Sequence, residues 1–334
     1  MTHLNNKLID RFGRTAKKLR ISVTDRCNMR CIYCMPVNNV DWFEQENILN
    51  FHEIIRVVRI LADLGIVKVR LTGGEPLVRP NLPSLIKLIS RIHQIEHMGM
   101  TTNGIGLQTN AARLKDAGLQ SVNVSLDTLK ESRFKAINGV DGLDKVLQGI
   151  QVANDVGLSV KLNVVVIRGW NDDEIIEFTE LSRKTNFTVR FIEFMPLDGT
   201  SMWNNHLVVT KAEIIKKLAS EGIDISPLYN DYSEPARLFT LNDDRGRLGF
   251  IPSISEPFCT KCDRIRLTSD GRLLTCLYEK PGTDLKGLLR NGKTDEVIKS
   301  SILDSIKYKP EGIIRLIRTE SLRARMNLMH RIGG

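Results

Sequence analysis

Between residues 19 and 196, short β-branched runs alternate with segments whose apolar residues recur every three to four positions. The runs at 20–24, 67–72, 97–102, 121–127, 159–167 and 188–194 predict strands. The periodic segments at 51–64, 82–95, 109–117, 143–156 and 172–184 predict helices, three of them stopping at Gly65, Gly118 and Gly157. Such alternation builds βα units on a parallel sheet, either an open doubly wound sheet or a partial barrel.

Polarity within the strands separates these two. Parallel strands covered on both sides read as nearly unbroken apolar runs. Here one face carries Arg20, Ser22, Thr24, Lys68, Arg70, Thr72, Asn123, Ser125, Asp127, Lys161 and Asn163, while the alternate positions are Val, Ile and Leu. A closed eight-stranded barrel fills its interior with aliphatic residues, so a polar, cationic inner face predicts a wider or open barrel around an anionic ligand. The competing reading, a polar sheet face in water, conflicts with the rarity of bare parallel sheets.

Beyond Met195 the pattern changes. A loop at 196–207 and a helix at 211–220 precede two hairpins, 237–241 with 248–254 and 264–268 with 272–277, the second turning at Asp270-Gly271. That pairing predicts Cys276 opposite Ile265 and near Cys262. The expected division is 1–225 for the barrel and 226–334 for a C-terminal region that closes it.

Composition is that of a folded protein, with 42% apolar and 26% charged residues, and it excludes disordered and fibrous classes. No apolar run approaches the ~18 residues of a membrane span. The N-terminal stretch lacks the apolar core of an export signal, so a cytoplasmic protein is expected. The net charge is +9, and residues 261–334 hold 16 Lys and Arg against 9 Asp and Glu. A solvated basic surface, a nucleic acid or a phosphorylated small molecule each fits that excess, and charge alone does not choose.

All six cysteines fall into two triads, Cys27, Cys31 and Cys34, then Cys259, Cys262 and Cys276. In a reducing compartment, clustered thiols point to metal or catalysis. Cys27-x3-Cys31-x2-Cys34 follows the first strand, where βα-barrel active sites lie. Three thiolates on one loop suit an iron-sulfur cube whose fourth iron stays open, whereas structural zinc takes four closed ligands. The second triad alone is equally compatible with zinc completed by a distant histidine.

The Cys-x3-Cys-x-Tyr-Cys loop, with Thr72-Gly73-Gly74-Glu75-Pro76 after the second strand, resembles the radical S-adenosylmethionine (SAM) superfamily. The second triad and the terminal Gly-Gly are similar to the GTP 3′,8-cyclase family, and the resemblance covers nearly the whole chain. It implies an incomplete (βα)6 TIM-like barrel with a C-terminal extension of hairpins and helices carrying a second cluster. It further implies two [4Fe-4S] clusters and SAM as cofactors. The implied reaction converts GTP to (8S)-3′,8-cyclo-7,8-dihydroguanosine 5′-triphosphate, the first step of molybdenum cofactor biosynthesis. By the same resemblance, Tyr33, Gly74, Ser125 and Met195 match SAM contacts. Arg20, Arg70, Thr101, Lys161, Arg264, Ile265 and Arg266 match GTP contacts, with Lys68 and Arg190 as triphosphate neighbours. Cys259, Cys262 and Cys276 match the auxiliary-cluster ligands, and Gly333-Gly334 a tail that enters the barrel; a physical reason for such a tail is that an anionic site attracts the preceding Arg323, Arg325 and Arg331. Implied partners are a low-potential electron donor such as a flavodoxin or ferredoxin, and the next enzyme of the pathway. Neither nucleic acid nor membrane is implied, and the chain is a monomer or homodimer.

Other motifs are weaker. His93 and His97 straddle a predicted helix end, Gly104-Ile105-Gly106 lacks the third glycine of a dinucleotide fingerprint, and no P-loop is present. Glu75 and Asp127 suit acid-base work or polar contacts equally, and neither is given a catalytic role. Two alternatives stand beside the cyclase reading: another radical SAM enzyme with an auxiliary cluster, such as a peptide modifier, and a metal-cluster nucleic-acid-binding protein. Cations on strand after strand, with only 6% aromatic residues, favour a pocket over both.

Overall fold

The computed structural model describes residues 7–35, 40–185, 187–197, 202–229, 233–279, 282–313 and 329–333. Six strands lie side by side in sequence order: β1 (Lys18–Ser22), β2 (Lys68–Thr72), β3 (His97–Thr102), β4 (Ser121–Ser125), β5 (Ser159–Val166) and β6 (Thr188–Glu193). Every neighbouring pair among them is parallel. Helices α1 (Phe51–Asp63), α2 (Leu82–Ile89), α3 (Leu107–Asp116), α4 (Glu131–Asn138), α5 (Leu143–Asp155) and α6 (Ile175–Thr185) fill the connections. Asn50 and Glu53 form a reciprocal cap that starts α1 where the apolar period begins. Helix α2 stops short of the predicted end at 95, because Ser90 turns its hydroxyl onto the Lys87 carbonyl and the chain continues in tight turns. Helix α4 was not predicted: among its eight residues only Phe134, Ile137 and Asn138 are buried, too few to make a period.

The alternation read from the sequence sorts the layers. Leu19, Ile21, Val69, Leu71, Val122, Val124, Leu162 and Val189 are buried in one continuous core beneath the helices. Their polar neighbours face the opposite side. The sheet then extends past both edges of this half-barrel. Strands β9 (Arg247–Ile251), β8 (Arg237–Leu241) and β7 (Ile225–Pro227) follow β6, while β10 (Arg264–Leu267), β11 (Arg272–Leu274) and β12 (Thr283–Asp284) follow β1. Among the described residues twelve strands result, with β12 and β7 at the ends, so the barrel is open. Helices α7 (Lys211–Ser220), α8 (Leu285–Arg290) and α9 (Asp295–Lys307) lie in the C-terminal half.

One expectation is corrected. The β10–β11 register pairs Arg266 with Leu274 and Leu267 with Leu273, so Ile265 is not opposite Cys276. The strand ends at Leu274, and Cys276 stands in the loop beyond it. No helix among the described residues is long and apolar enough to cross a membrane.

Candidate functional site

A single cavity, about 1830 Å³ of empty space with its open mouth included, is lined by all six cysteines. The first triad occupies the loop after β1. Arg30 and Ile32 donate main-chain bonds of 2.8 and 2.9 Å to the carbonyls of Asn138 and Ile137 at the end of α4, which pins that loop. Asn138 also accepts from the Cys31 thiol at 3.2 Å, and the Met29 amide donates to Cys27 Sγ at 3.4 Å. A Cβ on Gly74 would stand 2.4 Å from the carbonyl oxygens of Asp25 and Arg26, and one on Gly73 2.6 Å from that of Thr24. The two glycines are therefore needed to lay the β2 loop on the cysteine loop.

Burial pushes the Cys27 thiol up to about 11 and the Cys34 thiol up to about 12; Cys31 is also pushed well up, by burial and then by its two neighbours. Three prospective anions crowded into a buried loop call for a cationic partner. No three described His, Cys, Asp or Glu side chains form a group suited to one metal ion. A triad of soft thiolates suits an iron-sulfur cube with one open iron, whereas structural zinc takes four closed ligands.

Tyr33, Gly74, Ser125 and Met195 line the same end of the cavity. Tyr33 donates to Asp127 Oδ2 at 2.5 Å, and the Val165 amide donates to Oδ1 at 2.8 Å. Burial raises Asp127 to about 6 and Glu75 to about 7. Glu75 accepts from the Leu77 amide, the Thr102 hydroxyl and the Asn103 amide at 2.9, 2.8 and 2.6 Å. It staples the β2 loop to the end of β3, and Asp127 likewise orients Tyr33.

The inner face of the sheet is a cation array. Arg20 pairs in register with Arg70 on one side and Arg266 on the other. Arg20, Thr101, Arg190, Arg264 and Arg266 line the cavity. Lys68, Arg70 and Lys161 are not on its wall, although Arg70 and Lys161 interact electrostatically with Arg190. Ile265, between two lumen arginines, turns its side chain into the core. Burial holds Arg20 well below its usual value, and Arg266, Arg264, Arg70 and Arg190 push it further. Burial similarly brings Arg190 down to about 9, and Arg70 and Arg266 to about 10. None of Arg20, Arg70, Arg190, Arg264, Arg266 and Lys161 forms an ion pair with a described residue. Arg190 Nε, Arg264 Nη2, Asn123 Oδ1 and Asn163 Oδ1 are buried without a hydrogen-bond partner. The arginine nitrogens lack an anionic acceptor and the two amide oxygens lack a donor, needs that a ligand with both a phosphate and hydroxyl or amino groups would meet.

Sequence reasoning missed several parts of this array. Gly99 and Gly249 make room for it: a Cβ on Gly99 would lie 3.1 Å from the Arg70 guanidinium, and one on Gly249 2.8 Å from Arg190 Cγ. A glycine inside a strand was the available signal. Glu234 was also missed. It lies 2.7 Å from Lys18 Nζ, which reaches Asp263 at 3.0 Å, while Arg264 donates to the Ser233 carbonyl at 3.3 Å. Because Ser233 and Glu234 connect β7 to β8 while Lys18 and Arg264 lie on β1 and β10, these contacts bridge the open side of the barrel.

At the far wall, Cys259 and Cys262 flank a 3-10 turn and Cys276 follows β11. Burial raises Cys276 to about 11; burial also works against Cys262, but Arg264 and Lys309 outweigh it and bring that thiol to about 7. The chain end returns to the lumen through the short helix Met329–Ile332. The ring of buried His330 lies edge-on to that of Trp42, centroids 5.7 Å apart, and Arg331 reaches Asp41 at 3.1 Å. Gly333 has φ +78°, and its carbonyl accepts from Arg266. Arg323, Arg325 and Gly334 lie outside the described residues.

The Radical SAM superfamily model matches residues 21–182, and the Molybdenum Cofactor Synthesis C model matches 187–314. The GTP 3′,8-cyclase of Thermodesulfovibrio yellowstonii is 43% identical over 97% of this chain and 99% of its own. That of Syntrophomonas wolfei is 46% identical over 91% and 93%, and the mitochondrial GTP 3′,8-cyclase of Arabidopsis thaliana 40% identical over 99% and 84%. Among solved structures, Streptococcus suis SuiB superposes with a TM-score of 0.62 at 17% identity, covering 95% of this chain and 78% of SuiB, a likeness of fold. The thiol loop, the cation-lined lumen and full-length similarity agree, and the chain belongs to the GTP 3′,8-cyclase family of the radical SAM superfamily.

Proposed function

We propose that this chain converts GTP to (8S)-3′,8-cyclo-7,8-dihydroguanosine 5′-triphosphate, using SAM and two [4Fe-4S] clusters, in the first step of molybdenum cofactor biosynthesis. The observation that carries this reading is one cavity lined by both cysteine triads and by arginines that form no ion pair with a described residue. When bound, the first cluster and SAM supply a carbon-centred radical by one-electron cleavage of SAM. Cys27, Cys31 and Cys34 hold that cluster, while Tyr33, Gly74, Ser125 and Met195 surround SAM. Arg20, Arg190, Arg264 and Arg266 bind the triphosphate, with Lys68, Arg70 and Lys161 adding charge from behind the wall. Cys259, Cys262 and Cys276 hold the second cluster against the base, and Thr101 and the main chain at Ile265 complete that end. Apolar walls from Met29, Met35, Ile192, Ile251 and Ile313 keep water from the radical path. A flavodoxin or ferredoxin supplies the electron, and the next enzyme of the pathway takes the product.

The cations are sequestered inside a lumen, which disfavours a nucleic-acid surface. Their number also exceeds what an auxiliary-cluster peptide modifier needs. Arg20→Ala and Arg266→Ala are each expected to weaken GTP binding about 10- to 150-fold, the loss of a charge-assisted contact, and Lys161→Ala, behind the wall, by less, while SAM binding changes little. Calorimetry on anaerobic protein checks this. Guanosine binding as tightly as GTP would contradict a lumen built for the triphosphate.

A further inference from the structure

Two buried cations bond the main chain of the second triad. Arg14 is 8% exposed; it donates to the carbonyls of Cys259 at 2.9 Å and Pro310 at 2.7 Å. Lys309 is 2% exposed; it donates to the carbonyls of Cys262 at 3.0 Å and Arg264 at 2.9 Å. The segment carrying Lys309 is pressed onto the site, since Gly312 has φ +105° and a Cβ there would stand 2.5 Å from Cys259 Sγ.

The two cations differ in charge balance. Arg14 is neutralised by Asp10, whose Oδ2 lies 2.6 Å from its Nε, the pair being almost fully buried. Lys309 has carbonyl acceptors but no carboxylate partner among the described residues. Asp263, the acid next to Cys262 in sequence, turns its Oδ2 to Lys18 instead. A buried ammonium without a counter-ion is costly unless an anion lies within a few ångströms. Cys262 and Cys276 both interact electrostatically with Lys309, and as cluster-bound thiolates they supply such a charge.

We propose that Lys309 is a positioning residue that fixes the Cys262 turn and sets the reduction potential of the second cluster. This rests on the two-cluster reading above. Three thiolates make such a centre anionic and reduction adds a further negative charge, so a fixed cation behind the ligands favours the reduced state. Arg14, already paired, supplies geometry alone.

The test is a redox titration of the second centre, followed by electron paramagnetic resonance, in anaerobically reconstituted full-length protein and in Lys309→Met, Lys309→Gln and Lys309→Arg. Met and Gln are expected to lower the equilibrium constant for its reduction about tenfold or more, equivalent to 59 mV for one electron, while Arg stays near the parent. Met and Gln that lose this cluster while Arg keeps it would support the same requirement for charge. Met and Gln with the full iron complement and the parent potential would overturn the proposal, as would loss of the cluster in all three. A parent chain with iron for only one cluster would instead refute the two-cluster reading.

Discussion

Alanine at Cys27, Cys31 and Cys34 together is expected to lower the iron content from close to eight to about four per chain, and to abolish reductive cleavage of SAM. The fold should survive. The loop bearing these residues keeps its main-chain bonds to α4 and its seat on the glycine loop of β2 when the weak thiol bonds of Cys27 and Cys31 are lost. Burial, the main cause that pushes these half-buried thiols up, keeps them neutral when no cluster is bound, so alanine strands no charge in the loop. Iron analysis and chromatography for 5′-deoxyadenosine check both halves. A triple variant that still makes 5′-deoxyadenosine would show that the radical chemistry belongs elsewhere.

The second large effect is expected at the chain end. Gly333 sits in the left-handed region at φ +78°, and a Cβ there would lie 2.3 Å from Thr72 Cγ2, at the end of β2 and beside the Gly73-Gly74 loop. Alanine therefore meets an intrinsic penalty of about 1–2 kcal/mol and a steric overlap that the wall cannot relieve. The tail must leave its seat. Its carbonyl then releases Arg266, one of the cations assigned to GTP. Gly333→Ala, and deletion of Gly333 and Gly334, should leave iron content and unfolding temperature unchanged while lowering GTP conversion at least about 100-fold, because small displacements in a reacting assembly are that damaging. A steady-state assay of the variant beside the parent checks this; equal rates would make the tail an idle end.

The sequence pattern carried the sheet well, for a physical reason. In β5 the residues alternate in burial along their whole length, with Val160, Leu162, Val164 and Val166 buried, so the period is visible without the fold. The same rule places Ile265 in the core between Arg264 and Arg266, although the resemblance grouped all three as GTP contacts. What escaped notice depends on distance along the chain. Glu234 is a loop residue whose partner Lys18 lies 216 positions away, and no local pattern links them. Arg14 and Cys259 are 245 positions apart, and Lys309 looks like any lysine after a helix until Cys262 is folded against it. Helix α4 was missed because its outward residues are polar and its inward ones few. The cysteines were legible because clustered thiols carry their meaning in spacing alone.

Product analysis after anaerobic incubation of the reconstituted enzyme with SAM, GTP and a strong reductant tests the cyclisation itself. 5′-Deoxyadenosine and a cyclised guanosine triphosphate are expected to accumulate together, neither is expected in protein lacking the first triad, and guanosine should not replace GTP. Formation of 5′-deoxyadenosine at an undiminished rate without GTP, with added GTP recovered unchanged, would contradict it.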